Sequence, residues 1–306
     1  MTDETLAGSG VKRRSLGRRI FEFPLVAMLI AVALFILVIA IAGAVTKLAL
    51  PAIPGLSFEI EFDLVAAPAL VLLYWLVISR LGAHKRNDYR DPHALRNLGL
   101  GLAGGLILFS VAVAVAAALG VYRITGEGDA SGLLAAIIGS ALFPAINEEL
   151  LFRGILFRWL EEFGGSWLAL LVTSAFFGAA HLLNPHASSI AAIGIAFEAG
   201  VMLGAAYMLT RSLWLPMGLH AAWNFAQGEI WDIPVSGTPV HGVVVARLSG
   251  DPLLTGNGFG LEASVICIVI ATLFGLWLLW LAIRKGEVRR PMWVTENPAA
   301  PQLSSS

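Results

Sequence analysis

The stretch Pro144-Ala-Ile-Asn-Glu-Glu-Leu-Leu-Phe-Arg-Gly154 decides how this chain must fold, because it puts two adjacent glutamates at the end of an apolar segment that begins at Gly132. Residues four apart in a helix share a face, so Glu149 and Arg153 are spaced to pair while Glu148 points elsewhere. A charged group in mid-bilayer costs about 2.5–3.5 kcal/mol on insertion scales and usually faces a cavity or a partner. The stretch therefore predicts one held and one free carboxylate inside a membrane.

The composition is that of a membrane protein. Of 306 residues, 58% are hydrophobic and 13% are charged, and the mean hydropathy is +0.80. A soluble domain carries about 25% charged residues. No basic run is interleaved with aromatic residues, which argues against a nucleic-acid partner. The single cysteine, Cys267, lies in an apolar run, so the sequence predicts neither a disulfide framework nor a cysteine-based metal site.

Apolar periodicity and length predict an all-α polytopic protein with about eight transmembrane helices. The predicted spans cover approximately residues 24–45, 64–81, 98–121, 132 through the two glutamates, 164–183, 188–209, 213–227 and 261–283. We expect the first span to be retained, although Ala42-Gly43-Ala44 resembles a signal cleavage site. An acidic loop, Glu59 to Asp63, is expected before the second span, and a Gly/Pro-rich loop is expected over 229–260.

Small residues and one proline predict how the helices pack. Gly101 and Gly105 have the spacing that allows close helix contact. Gly194, Gly200 and Gly204 have the same role in the sixth span. Pro144 should kink its helix and free backbone carbonyls near the acidic pair. We find no internal repeat, which weakens an inverted-repeat transporter.

Basic residues predict the orientation in the membrane. With eight crossings, 17 of the 20 Lys and Arg residues fall on the side that holds both termini. Only Lys47, Arg123 and Arg247 fall on the other side. The positive-inside rule then places both termini in the cytoplasm, for a multi-pass protein of the inner cell membrane.

Two further apolar spans carry polar side chains. Phe177 and His181 are four apart in the fifth span, as are His220 and Asn224 in the seventh, so each pair shares a helix face. If these faces converge with that of Glu148, they enclose a polar pocket. A carboxylate and a histidine can hold and deprotonate water, and a second histidine with an amide can donate hydrogen bonds to an oxyanion.

Each of these residues also has a purely structural interpretation. A lone histidine in an apolar helix is more often an interhelical hydrogen-bond donor, Glu149 with Arg153 makes an ion pair at a helix end, and Asn224 can link helices. The co-occurrence of all of them in neighbouring spans is what favours chemistry. Glu198 is a further candidate or a buried hydrogen-bonding carboxyl, whereas the loop residues His186 and His241 are expected to have no special role.

The ordered set Glu148-Glu149-x-x-x-Arg153, Phe177-x-x-x-His181 and His220-x-x-x-Asn224 resembles the three motifs of the CAAX prenyl protease and bacteriocin-processing (CPBP, or Abi) family of intramembrane proteases. The resemblance covers about residues 130–228. The segment Leu254 to Glu262 is similar to one found in some bacterial members.

The resemblance implies a CAAX-protease-like bundle of eight helices that hydrolyses peptide bonds within the membrane. By position, Glu148 would activate water with help from His181, His220 and Asn224 would stabilise the oxyanion, and Glu149 with Arg153 would fix the helix end. The chain then divides into a basic cytoplasmic arm (1–23), N-terminal transmembrane helices (24–121), a catalytic core (130–284) and a disordered cytoplasmic tail (285–306).

Metal dependence stays open at this point, since the family has been described both as metalloproteases and as metal-independent glutamate proteases. A zinc site would draw on Glu148, Glu149, His181 and His220, but no His-Glu-x-x-His helix presets two ligands and a base. Asn224 suits oxyanion donation better than zinc ligation. We therefore favour metal-free chemistry.

The leading hypothesis is an intramembrane endopeptidase with a membrane-associated peptide or protein as substrate and the lipid bilayer as surroundings. A proton- or cation-coupled transporter is the alternative from another class, because membrane Glu and His residues also serve transport. A non-catalytic scaffold or immunity protein is the third. The sequence indicates neither the oligomeric state nor the cleaved bond.

Overall fold

The computed structural model describes residues 15–49 and 53–294, and these are mostly helical. The first fourteen residues of the predicted basic arm, and tail residues 295–306, lie outside the described part. The helices are α1 Leu16–Phe21, α2 Pro24–Leu48, α3 Phe58–Leu76, α4 Ala94–Ala118, α5 Leu133–Ala136, α6 Phe143–Glu149, α7 Arg158–Ala180, α8 Ser189–Ile195, α9 Met202–Thr210, α10 Trp214–Phe225, α11 Pro252–Thr255 and α12 Val265–Arg284. Strands β1 (Tyr122–Glu127) and β2 (Val244–Leu248) form one antiparallel pair.

The prediction of a helical, polytopic membrane protein is confirmed, but the count of eight spans is not. In the described residues, six helical runs are long and apolar enough to cross a bilayer. The predicted fourth and fifth spans form one run, Leu133–Leu183, and the predicted seventh span, α10, is too short to be counted. Within the long run, Gly165 has a φ of 81°. Glycine adopts this conformation without strain, so the run changes direction where the sequence predicted a boundary.

Stretches of π-helix interrupt the helices that carry the polar motifs. They cover Ile137–Leu142, Leu150–Phe157, Ala196–Val201 and Ala226–Ile230. Such segments widen the helical turn and are frequent at functional sites. Pro144 lies in the first turn of α6 and has no N–H to donate to the Ser140 carbonyl four residues earlier. That carbonyl accepts a hydrogen bond from Asn224 Nδ2 at 3.0 Å, as expected for a carbonyl released by proline.

Close glycine contacts position the helices around the polar motifs. A Cβ atom added to Gly105 would lie 2.3 Å from the Leu219 carbonyl oxygen, so the backbones of α4 and α10 touch. A Cβ added to Gly200 would lie 2.7 Å from the Ser174 Cα, so the π-helical segment Ala196–Val201 packs closely against α7. The predicted close packing at these glycines is therefore present, and it fixes α10 against α4 and the segment Ala196–Val201 against α7.

One end of the bundle, which we call the basic end, is tied together by ion pairs. Arg211 Nη1 lies 2.6 Å from Glu161 Oε2, and Arg211 Nε lies 2.9 Å from Glu287 Oε2. Arg158 donates to the backbone carbonyls of Arg86 and His84 at 3.0 and 2.8 Å. Burial acts to raise the pKa of Glu287, but the hydrogen bonds from Arg211 and Lys285 hold it below its usual value. The segments that the sequence assigned to one side of the membrane therefore contact one another at the basic end.

The opposite end, which we call the acidic end, is more structured than the sequence predicted. The expected loop 229–260 contains β2 and α11, and β2 pairs with β1. Asp232 fastens this segment by accepting hydrogen bonds from the backbone N–H of Gly242 (3.0 Å) and Ala246 (2.8 Å). Single-sequence patterns missed the pairing because its strands lie about 120 residues apart in the chain.

Two boundaries also differ from the predictions. The acidic residues expected in a loop, Glu59 to Asp63, lie in the first turns of α3, whose start is capped by the Ser57 side chain. The described part of the expected disordered tail, residues 285–294, packs on the basic end. There the Arg289 N–H donates to Ser166 Oγ at 2.8 Å, and the Trp293 ring packs 5.4 Å from the Phe163 ring.

Candidate active site

The two adjacent glutamates have different surroundings. Glu149 is fully buried, and its Oε1 lies 2.9 Å from Arg153 Nη1, so the predicted ion pair is present. The Glu148 side chain is 26% exposed, and its Oε2 has no hydrogen-bond partner among the described residues. One carboxylate is thus held and its neighbour is free, because successive helical residues point about 100° apart.

Arg153 links this helix to the next element of the site. It is fully buried, and its Nη2 donates to the carbonyls of Ala199 and Gly200 at 3.1 and 3.2 Å. Its guanidinium also lies over the Phe177 ring, 4.9 Å from the ring centre. The cation therefore connects α6, the π-segment Ala196–Val201 and α7, and it neutralises the buried Glu149.

His220 is oriented by one glutamate and approaches the other. Its Nδ1 lies 2.9 Å from Glu149 Oε1, and its Nε2 lies 3.9 Å from Glu148 Oε2. Because the same Glu149 oxygen also accepts from Arg153, it acts as an acceptor and Nδ1 carries the hydrogen of this bond. The contact fixes the ring and turns Nε2 toward Glu148.

His181 lies at the end of α7, where its Nδ1 donates to the Phe177 carbonyl at 2.7 Å. A carbonyl oxygen only accepts, so Nδ1 carries a hydrogen and Nε2 is the nitrogen left for another partner. The Phe177 and His181 rings are 4.8 Å apart. The Phe177-x-x-x-His181 spacing therefore sets both the tautomer and the direction of the imidazole.

Asn224 lies one helical turn after His220 on α10 and is nearly buried. One hydrogen of its amide nitrogen is used by the Ser140 carbonyl, which leaves the other available. The Ser140 hydroxyl in turn lies 3.2 Å from Glu229 Oε1. Sequence reasoning did not single out Glu229, since a lone glutamate at a loop boundary carries no motif.

The four predicted side chains, Glu148, His181, His220 and Asn224, line one cavity of about 780 Å³. This volume is in the range of ligand-binding pockets. The cavity is bounded by α3, the helical run from Gly132 to Glu148, α10 and the 235–241 loop, and it lies at the acidic end. His241, expected to be an ordinary loop residue, also lines it, whereas His186 does not.

A second void of about 30 Å³ lies behind the cavity. It is lined by His181, His220 and Asn224 together with Glu198 and Glu262. Both of these glutamates are almost fully buried, and Glu262 Oε1 accepts the Ser236 N–H. Such a volume holds a water molecule or two. The sequence had indicated Glu198 as a candidate and Glu262 only as part of a similar segment.

The donors do not form a metal site. Among residues 15–49 and 53–294, no group of three or more His, Cys, Asp or Glu side chains is placed to hold an ion. Nδ1 of His220 faces Glu149 and Nδ1 of His181 faces the Phe177 carbonyl, so Nε2 is the nitrogen of each ring left for another partner. A catalytic zinc needs three protein ligands at about 2.0–2.2 Å, and the suggested set of Glu148, Glu149, His181 and His220 is not gathered in that way among the described residues.

Comparison with known proteins supports the class. Residues 130–226, about a third of the chain, match a family model described as type II CAAX prenyl endopeptidase Rce1-like. No curated protein and no solved structure matches the chain. The segment that carries the three motifs is therefore an Rce1-like peptidase domain, and the suspected relationship to the CAAX protease family is confirmed. The chain is an integral membrane protein that carries this domain.

Proposed function

We propose that the protein is an intramembrane endopeptidase in which Glu148 activates water to cleave a peptide bond of a membrane-associated substrate. The observation that carries the proposal is the convergence of Glu148, His181, His220 and Asn224 on one cavity. The family match supports a peptidase. The contacts of each side chain support the role that we assign to it in the reaction.

Glu148 acts as the general base. Its carboxylate, which lines the cavity, accepts a proton from a bound water, and the water oxygen attacks the carbonyl carbon of the substrate. His181 presents Nε2 toward the cavity and orients that water through its second hydrogen. When the tetrahedral intermediate collapses, the proton on Glu148 passes to the leaving nitrogen, so the products are a carboxylic acid and an amine.

Asn224 and His220 stabilise the oxyanion. The free hydrogen of the Asn224 amide donates directly, and a protonated His220 donates through Nε2 while Glu149 holds Nδ1. Such donors act where charge develops and are preorganised by their other bonds. Glu149 and Arg153 do not touch the reacting atoms. They position His220 and the helix that carries Glu148.

We also propose that both termini are cytoplasmic and that the cavity opens on the other side of the membrane. Arg86, Arg158 and Arg211, which the positive-inside rule assigns to the cytoplasm, meet at the basic end. The cavity lies at the opposite, acidic end, beside the 235–241 loop. A substrate would therefore present its scissile bond near the outer face of the bilayer.

A proteolysis assay on the purified full chain tests the function. Membrane-anchored peptides are incubated with wild type and with Glu148→Ala, and products are identified by mass spectrometry. We expect cleavage by wild type and none by the variant. Glu127→Ala, which changes an exposed glutamate of β1, is the matched control and should cleave normally. Full activity in a purified, folded Glu148→Ala would overturn the assignment of the base.

A further inference from the structure

The wall of the cavity is rich in carboxylates. Four carboxylate residues line it, namely Glu59, Asp63, Glu148 and Glu229. Among the described lining residues there is no lysine or arginine, and the only basic side chains are histidines. Glu148 has a role in the proposed reaction, whereas the other three do not. Their presence therefore calls for another explanation.

Asp63 is the least expected of them. It is only 7% exposed and lies on α3, yet its carboxylate makes no hydrogen bond or ion pair within the described part of the chain. Burying a carboxylate without a partner is costly. Glu61, two residues earlier and equally buried, instead accepts the Ile53 N–H and does not line the cavity. Asp63 thus lines the cavity without a partner among the described residues.

Asp63 and Glu229 approach neighbouring residues of the π-helical segment Ile137–Leu142 from different elements. A Cβ added to Gly139 would lie 3.4 Å from Asp63 Oδ2, and the Ser140 hydroxyl lies 3.2 Å from Glu229 Oε1. Gly139 and Ser140 are neighbours in the chain. Glu229 and Asn224 therefore contact the same residue, Ser140. Glu229 lies near its hydroxyl, and Asn224 donates to its carbonyl.

We propose that Asp63 and Glu229 form a subsite that binds a cationic group of the substrate, a Lys or Arg side chain close to the cleaved bond. The inference rests on the proposed peptidase function and gives it a substrate class: membrane-associated peptides with a basic residue near the scissile bond. An incoming ammonium or guanidinium supplies the partner that Asp63 lacks. The acidic cavity also attracts such a peptide electrostatically.

The helix sets the distance between this subsite and the reaction. Gly139 precedes Glu148 by nine residues, which at 1.5 Å per residue is about 13 Å along the axis. An extended substrate covers about 3.3–3.6 Å per residue. The basic residue therefore lies within about four residues of the scissile bond.

The test uses the purified full chain in lipid nanodiscs with a matched peptide series. Each membrane-anchored peptide differs from the next by one residue, Lys, Gln or Glu, at one of four positions on either side of the cleaved bond. We expect kcat/KM to be about tenfold higher for Lys than for Gln at one position. Asp63→Asn should reduce this ratio to about one, and Asp63→Lys should favour Glu.

Two further variants make the result specific. Glu61→Gln removes a buried carboxylate of α3 outside the cavity and should keep the tenfold ratio. Glu229→Gln retains an acceptor for Ser140 and should lower the ratio, so it serves as the test if Asp63→Asn does not fold.

The outcomes separate the subsite from the peptidase function. If wild type cleaves in a Glu148-dependent way without any charge preference, or if folded Asp63→Asn and Glu229→Gln keep the preference, the subsite is refuted and the function stands. An equal loss of cleavage for all peptides in folded Asp63→Asn also refutes selection, because the carboxylate would then act in the reaction. If wild type cleaves no peptide, both proposals fall together.

Discussion

At the basic end, Arg211 lies 2.6 Å from Glu161 and 2.9 Å from Glu287, whereas in the cavity Glu148 Oε2 lies 3.9 Å from His220 and accepts no hydrogen bond among the described residues. Both regions contain buried carboxylates, but only the basic end supplies arginines to pair with them. At the basic end, acids and bases are matched and loops are joined. In the cavity, Asp63 has no partner among the described residues, and the described lining contains four carboxylates but no lysine or arginine.

The contrast teaches where stability and chemistry reside. A buried charge that has a partner holds the structure, and removing that partner is costly. A buried charge without a partner costs free energy in the resting protein and is retained where it binds or reacts. Glu149 and Glu148 repeat this contrast within one helix turn. The following predictions test it, starting from the largest expected effect.

His181→Ala should lower kcat by about 10²–10⁴-fold, because it removes the acceptor that orients the attacking water. The measurement is steady-state peptide cleavage, with folding checked by size-exclusion chromatography. His93→Ala changes an exposed histidine at the basic end and should leave kcat unchanged. Equal effects of the two substitutions would contradict the separation of the regions.

Arg153→Ala should destabilise the protein by about 3–5 kcal/mol, because it leaves the buried Glu149 carboxylate unpaired. That corresponds to a factor of about 10²–10⁴ in the folded-to-unfolded ratio, at about 1.4 kcal/mol per tenfold change. Denaturant titration in mild detergent measures it, and expression yield should fall as well. Normal yield and stability would show that Arg153 does not hold the helix end.

Asn224→Ala should lower kcat by about 10²–10³-fold with little change in KM, as expected for a donor used mainly in the transition state. The substitution also leaves the Ser140 carbonyl without this hydrogen bond. A merely structural role would reduce the folded fraction but not kcat per folded molecule. Active-site titration of the folded fraction distinguishes these results.

Arg211→Ala should destabilise the protein by about 1–2 kcal/mol, less than Arg153→Ala because its side chain is partly exposed. Activity per folded molecule should not change, since the basic end lies away from the cavity. A thermal denaturation series in detergent, combined with the cleavage assay, checks both parts. A selective loss of kcat would show that the two ends are coupled.

Exhaustive chelation should leave the rate of cleavage unchanged, because the donors form no three-ligand set among the described residues. The assay compares cleavage before and after dialysis against chelator, with metal content measured by mass spectrometry. Loss of activity that zinc restores would contradict the proposed glutamate mechanism and would require the side chains to rearrange around the ion.

Several features followed from local sequence alone. Composition and long apolar runs determined a polytopic helical membrane protein, because a bilayer requires backbone groups to be satisfied within each segment. The i, i+4 spacing determined the Glu149–Arg153 pair, and the helical rotation of about 100° per residue determined that Glu148 points in another direction. Pro144 determined that a carbonyl near the glutamates would be released. Each of these depends on neighbours within a few turns of one helix.

Other features were decided only by tertiary structure. The β1–β2 pairing, the fused Leu133–Leu183 run and the placement of Asp63 on α3 depend on contacts between distant segments. The same holds for the approach of Asp63 to Gly139 and of Glu229 to Ser140. Periodicity reports which face of a helix a residue occupies, but not which face of another helix it will meet. The sequence thus indicated the candidate groups, and packing decided which of them share a cavity.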